Sequence, residues 1–105
     1  MTDLVLVLST VPDDASAETI ARTLVEEKLA ACVNVLPPMA SIYRWKGNVE
    51  RDIERQFVIK TTRAQVEALQ KRLAALHSYE LPEFVVLTID SGAERYLQWV
   101  RGSVA

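Results

Sequence analysis

The chain reads as an α+β fold, a ferredoxin-like βαββαβ sandwich, and three observations lead there. Two apolar, β-branched runs, Leu4 to Val11 and Phe84 to Ile89, lie near opposite ends of the chain. Two stripes of apolar residues at helical spacing lie between them. A Gly47-Asn48 pair separates two further strand patterns, as in a tight hairpin. Strand, helix, hairpin, helix, strand is the split βαβ order, and right-handed crossovers put both helices on one face of a four-stranded sheet.

Leu4 to Val11 reads as a strand buried on both faces and ended by Pro12. Asp13, Asp14 and Ser16 supply turn and N-cap chemistry. Ala17, Ile20, Ala21, Leu24 and Val25 then recur on one side of an amphipathic helix of about 14 residues. Cys32 to Leu36 is a second strand, broken by Pro37-Pro38. Ser41 to Trp45 resumes it and, through a two-residue turn at Gly47-Asn48, leads to a long strand from Val49 to Thr61. Thr62 to Gln65 fits a capping box, with Thr62 as N-cap. Val66, Leu69, Leu73 and Leu76 form the stripe of the second helix, with His77 near its end. Phe84 to Ile89 closes the sheet. A short tail helix over Ala93 to Val100 carries Tyr96, Leu97 and Val100 on one side, with Trp99 leaning the same way.

At 105 residues the chain is a single domain, 1–105. Twelve Lys and Arg against fourteen Asp and Glu leave a net charge of −2, which argues against nucleic acid as a partner. The lone cysteine, Cys32, excludes an intrachain disulfide and suits a reducing compartment. The apolar run at the N-terminus is too short for a membrane span. A soluble, cytoplasmic protein is expected.

The first and last strands do not alternate apolar with polar, so both their faces need covering. Two helices cover one face, and another copy of the chain is the economical cover for the other. If Gly47-Asn48 form the turn, Ile42 faces Ile53 and Arg44 faces Arg51. Two opposed arginines fit a hairpin that extends past its own domain, where they would meet acidic groups or water.

Several stretches carry a family resemblance: Leu29-Ala30-Ala31-Cys32-Val33-Asn34, Ser41-Ile42-Tyr43-Arg44-Trp45-Lys46-Gly47, Glu50 and Glu54 ahead of Ile59-Lys60-Thr61, His77-Ser78-Tyr79-Glu80-Leu81-Pro82-Glu83, and Tyr96-Leu97-Gln98-Trp99. Together, in this order, they resemble the CutA family of divalent-cation tolerance proteins. The resemblance implies a compact homotrimer with sheets inside and helices outside, much as in PII-type signalling proteins, and an association with copper or other divalent cations. It also implies Cys at the position of Ser9 and a His-His pair at Leu76-His77 in some bacterial relatives. Of those three copper-associated positions, only His77 is kept.

The metal candidates are accordingly His77 and Cys32, with Glu80 near in sequence and weak Cu2+ binding expected; no cofactor is obligatory. Against that stand burial of a free cysteine and the helix dipole, which explain both residues without metal. A second candidate is a ligand or inter-subunit cleft formed by Tyr43, Trp45, Lys60, Tyr79, Glu80 and Glu83, which mixes aromatic walls with both signs of charge. These residues serve equally well as interface packing. There is no Gly-rich phosphate loop, no zinc spacing and no nucleophile with a neighbouring base, so an enzyme is not expected. The two functional readings are a homotrimer linked to metal tolerance through binding or signalling, and a PII-like module that takes a small anion between subunits.

Overall fold

The computed structural model describes residues 1–105. Its elements run β1 (Leu4–Pro12), α1 (Ser16–Glu26), β2 (Cys32–Val35), β3 (Met39–Trp45), β4 (Asn48–Thr62), α2 (Val66–Leu76), β5 (Val85–Thr88) and α3 (Glu94–Gly102). The sheet is antiparallel in the order β2-β4-β1-β5. β3 continues along the edge of β4 that β2 occupies, because Pro37-Pro38 interrupt that edge without changing its side.

Strand alternation assigns the two faces. Val5, Val7, Val11, Phe57 and Ile59 point to one side and pack with Leu24, Leu69 and Leu73 of the helices. This is the main core. α1 is shorter than the periodicity suggests, 11 residues, because Lys28 turns left-handed at φ 60° and the chain folds back onto Leu24. Val25 lies outside the buried stripe and is 39% exposed. Asp14 precedes α1 and accepts the Ser16 N–H at 2.8 Å, an Asx turn that the run Asp13 to Ser16 foreshadows.

The Thr62–Gln65 capping box does not form. Arg63–Gln65 make a 3-10 turn ahead of α2, Thr62 caps nothing with its side chain, and the Gln65 amide instead donates to the carbonyl of Ala105.

Leu6, Leu8, Val58, Lys60, Val85 and Leu87 share the second face. α3 covers one end of it, where Leu97 and Val100 bury Leu4 and Ala31. The rest stays open, with Val85 and Leu87 each nearly half exposed. The expectation that helices bury one face and leave much of the other therefore holds. Within α3, Leu97 and Val100 face inward, whereas Tyr96 and Trp99 are exposed and lie against each other at 5.5 Å.

The hairpin corrects the sequence reading by one residue. Its turn is Lys46-Gly47, with φ of 49° and 84°, the two positive values of a type I′ turn. Trp45 pairs with Asn48, Ile42 with Arg51 and Arg44 with Val49. The two arginines are not opposed, and Ile42 does not face Ile53. The hairpin still extends past the helices, with Ile42 70% and Val49 67% exposed.

Candidate functional site

The segment between α2 and β5 is held by His77. Its backbone N–H closes α2 on the Leu73 carbonyl at 2.9 Å. Its ring Nδ1 accepts the Tyr79 N–H at 3.1 Å, so the proton sits on Nε2, which donates to the Thr10 carbonyl at 2.6 Å. Both ring nitrogens are thereby engaged. The imidazole ties the segment to β1 and turns Tyr79 back over the sheet, with the two rings 4.6 Å apart.

Tyr79 reaches Glu54 on β4 and donates its hydroxyl to the carboxylate at 2.7 Å. Glu54 is only 7% exposed, and Tyr79 is its sole hydrogen-bond donor. Two residues back along the same strand face, Asp52 accepts the Tyr43 hydroxyl. Burial, and then the Glu54 carboxylate, hold the Tyr79 phenol well above its usual range. Tyr43 is pushed up to about 12, first by its bond to Asp52. Both phenols therefore stay protonated donors to carboxylates.

Glu83 is fixed from the other side. Ser9 donates its hydroxyl to the Glu83 carbonyl at 2.7 Å, and Gln56 bridges the Ser9 carbonyl at 2.6 Å and the Glu83 carboxylate at 3.2 Å. At the rim, Lys46 lies 3.7 Å from Glu80 and 5.6 Å from the centre of the Trp45 ring.

Of these groups, Tyr43, Trp45, Glu54, Gln56, Tyr79, Glu80 and Glu83 line one cleft of about 980 Å³ between the hairpin and the segment 78–85. Of the residues expected in a cleft, Tyr43, Trp45, Tyr79, Glu80 and Glu83 meet there. Lys60 does not. It stands opposite Leu6 and Cys32 on the open face, under Tyr96 at 5.8 Å. Glu54, Gln56 and Thr10 join the cleft without having been singled out as site residues. Glu54 and Gln56 lie in an alternating charged strand that reads as solvated until the segment after His77 folds over it.

The metal candidates do not converge. Cys32 is opposite Lys60, whereas His77 holds Thr10, which is opposite Gln56, four residues and roughly 13 Å along β4. No three His, Cys, Asp or Glu side chains are gathered closely enough to hold a metal ion. Within one chain the residues present do not fit a tight cation site.

The sequence profile of the CutA1 divalent ion tolerance protein family matches residues 5–103, which include the whole cleft. The chain belongs to the CutA1 family. Its CutA1 relatives include the divalent-cation tolerance protein CutA of Thermus thermophilus, 50% identical over 91% of this chain and 93% of that protein. Among solved CutA1 structures, CutA from Xylella fastidiosa superposes with a TM-score of 0.95 at 45% identity, covering 99% of this chain and 100% of that one. The periplasmic divalent cation tolerance protein CutA from Archaeoglobus fulgidus superposes at 0.92 with 32% identity, over 97% and 99% of the two chains. The chain spans 60% of the length of the Xenopus laevis CutA homolog. The family description names tolerance of divalent ions and no reaction.

Proposed function

We propose that this chain is a cytoplasmic homotrimer that serves divalent-metal tolerance by binding and relaying a ligand, not by catalysis. The observation that carries this reading is Val85. It lines the cleft and is also exposed on the open apolar face, so the cleft opens onto the surface that another copy would cover. Sheets would then face inward, and a ligand at the subunit boundary would alter the assembly. The lining, with Glu54, Glu80 and Glu83 against Arg44, does not suit a small anion, and the PII-like anionic reading is not carried further. A half-buried free thiol at Cys32 suits a reducing cytoplasm, and cell fractionation tests that location.

Light scattering at micromolar concentration tests the assembly. A mass three times the 11.8 kDa chain is expected, and a monomer would overturn the reading. Copper contact is expected to be weak, because a metal at His77 Nδ1 must displace the Tyr79 N–H. Calorimetry at neutral pH should show poor Cu(II) affinity that His77→Ala abolishes. Tight binding that survives His77→Ala would place the metal elsewhere.

A further inference from the structure

The cleft is an unbalanced electrostatic site. Glu54 is more than nine-tenths buried, has one phenol as donor, and forms no ion pair with any Lys, Arg or His of the chain. Its second carboxylate oxygen has no donor at all and belongs to a residue that lines the cleft. No buried side-chain oxygen of the chain lacks a partner, so this free oxygen is open to the cleft, where a largely buried carboxylate gains from a cation that reaches it.

Two further observations say what kind of cation. The carboxylates of Glu54, Glu80 and Glu83 are not gathered closely enough to ligate one compact ion, which needs several oxygens around it at bonding distance. The cleft volume also suits a small organic molecule better than a bare ion. In addition, the chain already places one of its own ammonium groups at the rim. Lys46 lies between the Glu80 carboxylate and the Trp45 ring, the pairing of charge and aromatic face by which proteins hold organic cations.

We infer that the cleft takes an organic cation, an ammonium or guanidinium on a short apolar stem. Its N–H groups meet the free oxygen of Glu54, and its stem lies along Tyr43, Trp45 and Tyr79. The Tyr79 hydroxyl fixes the carboxylate from behind and leaves the free oxygen for the ligand. Lys46, on an exposed side chain, is the competitor at the rim. The inference rests on the cleft being the binding site proposed above, and it supplies the ligand class.

Agmatine, which carries both head groups, is the probe, with n-butanol and glutarate as neutral and anionic controls. Calorimetry on the intact protein should show saturable agmatine binding at least about tenfold tighter than either control. Glu54→Gln should weaken it by about tenfold or more, since it removes one charge-assisted contact. Lys46→Met should leave it intact or tighten it. Should Glu54→Gln fail to fold, the wild-type indole resonances decide: Trp45 shifts on agmatine addition and Trp99 does not. Equal binding of agmatine and butanol, no binding by an assembled protein, unaltered affinity in folded Glu54→Gln, or a shift of Trp99 alone would overturn the inference. Light scattering on the same sample keeps the two readings apart. A monomer defeats the proposed assembly, whereas a trimer that ignores agmatine defeats the ligand class alone.

Discussion

The Tyr79 hydroxyl is a single group on which a buried carboxylate depends. Tyr79→Phe keeps the ring against His77 but leaves Glu54 with no donor, which should lower stability by about 1–3 kcal/mol in urea denaturation. The effect carries a pH signature. The folded phenol is raised above its ordinary value of 10.0, so the unfolded chain ionises first. The stabilisation is full below about pH 10 and is lost as pH climbs through the raised folded value, so the gap between wild type and Tyr79→Phe should narrow above pH 10. A gap that stays constant to pH 11 would show that folding does not raise the Tyr79 phenol. Glu54 itself was not legible as a site residue. Its burial depends on a tyrosine 25 positions later, and nothing local marks a glutamate in an alternating strand as the one that will be covered. Tyr79, Glu80 and Glu83 were legible, because aromatic and acidic residues clustered around Pro82 do not serve a helix or a strand.

Among the elements, the hairpin shows where sequence reasoning slips. A glycine marks the turn, yet both Gly47-Asn48 and Lys46-Gly47 contain it. Choosing between them requires knowing that Lys46 accepts a left-handed backbone, which lysine does not advertise. Gly47→Ala should cost about 1–2 kcal/mol, because φ of 84° is unfavourable for any Cβ while nothing lies within 4 Å to clash with it. Thermal melts compared with wild type measure this, and an unchanged midpoint would mean that the turn relaxes freely. The capping box failed for a related reason. Thr62 is still bonded into β4 when the helical turn begins, so its backbone is committed to the sheet. The long strands and both main helices were legible because each buries a continuous stripe, and burial overrides local choices at the ends.

For the whole molecule, the doubly apolar strands were the most informative signal, since they forecast a sheet face that one chain leaves open. The body measures 44 × 25 × 24 Å, with its long direction consistent with a projecting hairpin. Trp45→Ala near the hairpin tip should weaken assembly by about 2–4 kcal/mol, read as dissociation on dilution by light scattering. A trimer that persists on dilution with a lower melting point would make Trp45 a residue of the subunit's own fold. Strand β4 has a further consequence. From Phe57 to Lys60 it is bonded on both edges, to β1 and β2, whereas from Asn48 to Ile53 it has β3 alone. Amide hydrogens in the first stretch can exchange with solvent only when the domain opens. Those in the second escape by fraying of the tip, unless a neighbour covers it. Exchange measured by mass spectrometry should therefore slow at the tip as protein concentration rises and stay constant in the middle, so that one strand times unfolding at one end and subunit release at the other.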